Sequence, residues 1–152
     1  MSGQDPAVTA LQAALAAENA AIFGYGVAGA YLTGTRRATA TSYWTGHRTA
    51  ADTLTSMLRA RGSQPAAASA AYRMPFAVHT AREAATLAAY LEDGVTAAYL
   101  GVVGAGDATL RRFAAQAMQT TATRAAFWRG SALAFPGLPA SRTTHPGTRS
   151  AR

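Results

Sequence analysis

Four ionisable side chains, Glu18, His47, Glu92 and Arg124, occupy positions where helical spacing expects apolar residues. Stepping by alternating fours and threes traces the inward seam of each expected helix. Leu11, Leu15, Glu18, Ile22, Tyr25, Gly29 and Leu32 share one stripe, and Ala40, Trp44, His47, Ala51, Leu54 and Leu58 a second. Ala85, Ala88, Glu92, Val95, Tyr99 and Val102 form a third, and Leu110, Phe113, Ala117, Thr120, Arg124 and Phe127 a fourth. Each charged group is thereby expected to point inward. Two chemistries suit such a set. Carboxylate oxygens and an imidazole nitrogen are ligands for iron or manganese. Alternatively, two carboxylates facing one guanidinium and one imidazole balance without an ion, as a buried network that fixes helix register.

The elements that must position these groups have clear sequence boundaries. Asp5-Pro6 reads as an N-cap followed by proline at the first helical position, opening a helix that runs to Leu32. Thr33-Gly34-Thr35 ends it, and a second helix spans Arg36 to about Arg61, closed by Gly62 and Pro65. A long connection over 62–79 carries Tyr72, Met74 and Phe76 as expected anchors. Thr80 and Glu83 form a capping box for a third helix to about Val103, and Gly104-Ala105-Gly106 reads as a tight turn. Asp107 caps a fourth helix ending near Gly130. The expectation is an all-α four-helix bundle over 1–139: two helical hairpins joined by one crossover. Phe135-Pro136-Gly137-Leu138-Pro139 should fold back on it as a cap, leaving a disordered tail over 140–152.

At 1.5 Å per residue, Glu18 and His47 lie about 24 and 19 Å from the turn near residue 34. Glu92 and Arg124 lie about 20 and 28 Å from the turn near residue 105 on the same rise. All four groups therefore fall near mid-bundle. Gly24, Gly26, Gly29, Gly46, Gly94 and Gly101 each cost about 1 kcal/mol against alanine inside a helix. Close helix approach is the reading given to them.

Composition narrows the function classes. The 152 residues hold no Cys, which removes disulfides and thiolate metal sites, and all 14 basic residues are arginine. The net charge of +7 suggests an anionic partner, but Arg142, Arg149 and Arg152 lie in the terminal tail. The adjacent pairs Arg36/Arg37 and Arg111/Arg112 lack the interleaved aromatics of a base-stacking surface, so nucleic acid is not the expected partner. Residues 7–32 and 84–106 are long enough to span a bilayer, yet each holds carboxylates mid-span. A carboxylate at the bilayer centre costs roughly 2.5–3.5 kcal/mol, which points away from a membrane protein. MSGQDPA has no basic region ahead of the apolar stretch and so does not read as a signal peptide, and a cytoplasmic location is expected.

Other chemistry finds little footing. Ser131 and the tail serines have no associated base, and Gly101-Val-Val-Gly-Ala-Gly follows no strand, so neither a nucleophile nor a phosphate loop is indicated. His79 and His145 read as surface groups. Tyr25, Tyr90 and Tyr99 read as core aromatics with satisfied hydroxyls. A homodimer is expected through Ala21, Ala28, Ala30, Tyr31 and Trp128.

The segments ALQAALAAENAAIFGYG, GHR, YRMPF, LAAYLEDGVTAAY, RAAFWRG and AFPGLP, in this order, resemble the ferritin-like superfamily. Within it the chain is similar to a short actinobacterial family of unknown function. The resemblance implies a bundle in which two helices each give a Glu and the other two each give a Glu-x-x-His to a metal pair. Glu18, His47 and Glu92 match ligand positions, while Trp44, Thr121 and Arg124 stand in place of the other three. An arginine at a ligand position opposes a di-iron centre. The resulting expectation is a degenerate metal site, no cofactor, and a structural or interaction role as a homodimer with an unidentified protein partner. The alternative is an iron- or manganese-dependent oxidoreductase using Glu18, His47 and Glu92.

Overall fold

The computed structural model describes residues 5–138. Four helices, α1 (Pro6–Gly29), α2 (Gly34–Ala60), α3 (Ala81–Ala105) and α4 (Ala108–Arg129), make up most of it, and among the described residues there is no strand. Alanine-rich sequence supplies the helix propensity, and the caps set the boundaries. Asp5 accepts the Ala7 N–H with Pro6 in the first turn, and Thr80 and Glu83 complete their capping box. Asp107 accepts the N–H groups of both Thr109 and Leu110 at 2.9 Å. Asp107→Ala is expected to lower the urea midpoint, since two first-turn N–H groups lose their acceptor.

Several boundaries differ from expectation. α1 stops three residues before Leu32, although Leu32 itself is buried, and α2 begins at Gly34. The Gly104-Ala105-Gly106 turn is shorter than expected because α3 continues through Ala105, with Gly106 as its C-cap. Pro139, His145 and the expected tail over 140–152 lie outside the described residues.

Side-chain pairs give the helix directions. Glu18 meets Tyr99 while Tyr25 meets Glu92, so α1 and α3 are antiparallel. Thr96 meets Thr121 and Asp93 meets Arg129, so α3 and α4 are antiparallel as well. The short turn at 30–33 reverses the chain between α1 and α2, which leaves α2 and α3 pointing the same way. The crossover makes this possible by climbing along α1. Gln12 bonds the Gln64 carbonyl at 2.8 Å and the Ala66 N–H at 2.9 Å, and Tyr72 then packs on Phe23. Met74 packs against the core and Val78 is buried, whereas Phe76 is more exposed than either.

α1 and α3 form the centre, with α2 on α1 and α4 on α3. Leu11, Leu15, Leu54, Leu58, Leu87, Val95 and Val102 fill the core. The expected seams of α1, α2 and α3 largely match, but that of α4 is rotated by one residue. Thr121, Ala125 and Trp128 are buried, and Thr120, Arg124 and Phe127 are not. The shift lets Trp128 place its indole in the core while Arg124 is only partly buried. Ala21, Ala28 and Trp128 are buried and so are unavailable to the expected dimer face, which keeps only Ala30 and Tyr31 exposed. Tyr90 is a surface residue and not a core aromatic.

By length and composition α1 is apolar enough to cross a membrane, and half of its most apolar window is buried in the bundle. Its apolar character therefore has a structural use.

Candidate functional site

Glu18, His47 and Glu92 come together at mid-bundle and are 1%, 1% and 0% exposed. Each comes from a different helix and sits on an otherwise apolar seam, so packing the helices forces the three groups together. His47 lies between the carboxylates. Its Nδ1 faces Glu18 Oε2 at 2.6 Å and its Nε2 faces Glu92 Oε1 at 3.1 Å. Tyr99 donates to Glu18 Oε1 at 2.7 Å, and Tyr25 donates to Glu92 Oε1 at 2.6 Å. Trp128 donates its indole N–H to the Tyr25 hydroxyl at 2.8 Å. A continuous chain of hydrogen bonds thus runs Trp128–Tyr25–Glu92–His47–Glu18–Tyr99 and ties all four helices together.

Charge explains the protonation. Burial alone would push the His47 imidazole down, but hydrogen bonds and charge from Glu18 and Glu92 outweigh it and push it up to about 9. An imidazolium between two carboxylates donates at both nitrogens. Burial, with the Glu92 charge, pushes the Tyr25 phenol far above its ordinary range, and burial with the Glu18 charge does the same to Tyr99. Both phenols therefore remain donors. Among the described residues one buried side-chain polar atom lacks a partner, Glu92 Oε2.

Arg124 does not join the cluster as expected. Its guanidinium lies over the Tyr43 ring at 4.8 Å and packs against Gly46, and it forms no ion pair with Glu18 or Glu92. A Cβ at Gly46 would collide with it, as one at Gly24 would collide with Leu91. These two glycines do reflect close approach. Gly26, Gly29, Gly94 and Gly101 face open space, contrary to expectation. The Arg124 charge still reaches inward, offsetting part of the shift at Tyr25 and Tyr99.

The other two substituted positions contribute no ligand. Thr121 pairs with Thr96 at 2.7 Å, two hydroxyls where a carboxylate ligand would stand. Trp44 is half-buried, with the Arg48 guanidinium over its ring at 4.9 Å. Among the described residues no group of three or more His, Asp or Glu is arranged to hold a metal ion. A metal needs an imidazole lone pair, and each ring nitrogen of His47 already faces a carboxylate oxygen. As arranged, neither ring nitrogen of His47 offers a free lone pair to iron or manganese.

Sequence spacing identified the three central residues but missed Trp128 and the Thr96–Thr121 pair. The alternative α4 stripe Leu110, Ala114, Thr121, Ala125 and Trp128 was available at the same spacing. Tyr25→Phe is expected to cost about 2 kcal/mol in urea denaturation, because Trp128 loses its acceptor and Glu92 one of its two donors. Deleting a surface hydroxyl such as that of Tyr90 should change nothing measurable.

The fold and site define an all-α protein of four helices closed around a carboxylate–imidazole–carboxylate clasp. The chain belongs to the family described as a domain of unknown function, DUF4439, whose profile matches residues 10–140. It is similar to the crystal structure of a conserved hypothetical protein, rv2844, from Mycobacterium tuberculosis, with 34% identity and a TM-score of 0.81. That similarity covers 85% of this chain and 98% of the mycobacterial one. No curated protein matches.

Proposed function

We propose that the chain is a ferritin-like bundle whose metal position is degenerate, with a proton on His47 in place of the ion. Its role is structural or interaction-based, as a cytoplasmic homodimer that engages a further protein. One observation carries this reading: both ring nitrogens of His47 are held by carboxylates, from α1 and α3. The helix directions, with α2 and α3 parallel across a long crossover, support the ferritin-like assignment. Exposed Tyr31, Phe127 and Leu133 support an interaction role. The test is metal content per chain by plasma mass spectrometry, on protein from iron- and manganese-supplemented cells purified without chelators. A concentration series by light scattering is run on the same sample. Far less than one metal per chain, with a dimer mass, is the expected result. Stoichiometric metal that is lost on His47→Ala contradicts the metal-free reading, and a monomer at all concentrations contradicts the dimer.

A second reading is favoured by the unpaired, buried Glu92 Oε2. Here Glu18, His47 and Glu92 would hold one iron or manganese once His47 gives up its proton and turns, and the metal would supply redox chemistry.

A further inference from the structure

A groove of about 850 Å³ runs along the outer side of α1 and α3, away from the central clasp. Ala17 and Ala20 of α1 and Gly94 and Ala97 of α3 line it together with Leu133 and Phe135, which follow α4. The segment is held in place where Gly137 approaches Thr96 and Ala97. Gly94 has no packing reason to be glycine, because a Cβ there would meet nothing within 4 Å. A helical glycine costs about 1 kcal/mol against alanine, so its effect is to keep that wall of the groove shallow and open. Phe135, 73% exposed, and Tyr90, 56% exposed, leave apolar surface facing solvent beside it.

The groove does not end in solvent on every side. At Tyr90 and Asp93 it adjoins a second cavity of about 600 Å³, which those two residues also line. Arg36, Arg82 and Arg129 surround this cavity, and Asp93 is its one carboxylate. Asp93 is paired with Arg129, and among the described residues Arg36 and Arg82 have no ion-pair partner. Both project from the first turns of helices, where the helix dipole adds positive potential. An apolar trough thus meets a cavity with a surplus of positive charge.

We propose that these two cavities form one site for a single-chain anionic amphiphile, a fatty acid. Its carboxylate lies between Arg36 and Arg82, and its chain lies along Gly94, Ala97 and Phe135. Each of the two volumes falls in the usual range for small-ligand sites, roughly 300–1,000 Å³. Arginine forks suit a planar carboxylate. The site uses none of Glu18, His47 and Glu92, so it stands whether or not those three ever bind metal.

The test is calorimetric titration of the full chain at pH 7.5 with laurate below its micelle concentration, beside dodecanol and acetate. Laurate is expected to bind one per chain, at least tenfold tighter than dodecanol and far tighter than acetate. Gly94→Leu, which fills the trough, and Arg36→Ala with Arg82→Ala, which empties the charged cavity, should each weaken laurate at least tenfold. The arginine pair is a surface change, so it keeps the test decisive should Gly94→Leu misfold. Equal affinity for laurate and dodecanol, acetate binding as tight as laurate, or unchanged laurate binding by the arginine double variant would overturn the proposal. Absence of any laurate binding would overturn it as well.

Discussion

His47→Ala is expected to lower stability by about 3–5 kcal/mol, the range for breaking a buried ion pair by removing one partner. The loss has two parts. The substitution leaves Glu18 and Glu92 facing each other across a cavity with no cation between them, and it removes a hydrogen bond from each. Against the 5–15 kcal/mol typical of a domain, that is a large fraction of the total. Glu18→Ala should be nearly as damaging, because it removes one of the imidazolium's two carboxylate partners and leaves the Tyr99 hydroxyl without its acceptor. Glu18 and His47 act through the same bond, so their effects should be strongly non-additive. The double variant is expected to be at least about 1 kcal/mol more stable than the sum of single losses implies. Urea denaturation at pH 6.5 measures all three. A loss below about 1 kcal/mol for His47→Ala would mean that the ring carries no buried charge.

Stability should also fall as pH rises from 6.5 to 9. The His47 imidazole is held up to about 9 in the folded chain, against an ordinary value near 6.5. The folded state therefore holds a proton that the unfolded state releases, and the stabilisation is complete below about 6.5 and lost through about 9. A displacement of this size corresponds to about 3 kcal/mol. The direction is unusual, since many domains hold a plateau across this interval. No other described histidine is buried, because His79 is exposed at the α3 cap. The urea midpoint should thus drop steadily between pH 6.5 and 9 in the native chain and stay flat in His47→Ala. Equal slopes in both would assign the effect to another group.

The extent to which this architecture was legible in the sequence follows from where its signals lie. Capping chemistry is local, so Asp5-Pro6, the Thr80–Glu83 box and Asp107 located three helix starts directly. Leu, Val and Ala at heptad-like spacing fixed the inward faces of α1, α2 and α3, and with them the convergence of Glu18, His47 and Glu92. α4 was ambiguous because two neighbouring stripes each ended on a large aromatic, Phe127 or Trp128. Choosing between them depends on tertiary contacts, namely the Tyr25 hydroxyl waiting for a donor and Tyr43 stacking under Arg124. That one-residue rotation accounts for three errors together: Arg124 in the core, Trp128 on a dimer face, and the unseen Thr96–Thr121 pair. The glycines failed for a similar reason. Composition records that a Cβ is missing, but only the packed helices separate the close contacts at Gly24 and Gly46 from the open space at Gly94.

The clasp itself was half legible. Spacing brought the three groups together, but not in what order. In the structure the imidazole lies between the carboxylates, and the proposed proton-holding role rests on that order. The most direct test is the long-range proton–nitrogen NMR spectrum of the His47 ring at pH 7.5, in protein labelled with nitrogen-15. Two protonated ring nitrogens at that pH, losing a proton only near pH 9 and indifferent to added manganese or iron(II), are the predicted result. One unprotonated nitrogen at pH 7.5, or a His47 signal displaced or broadened by stoichiometric metal, would contradict it.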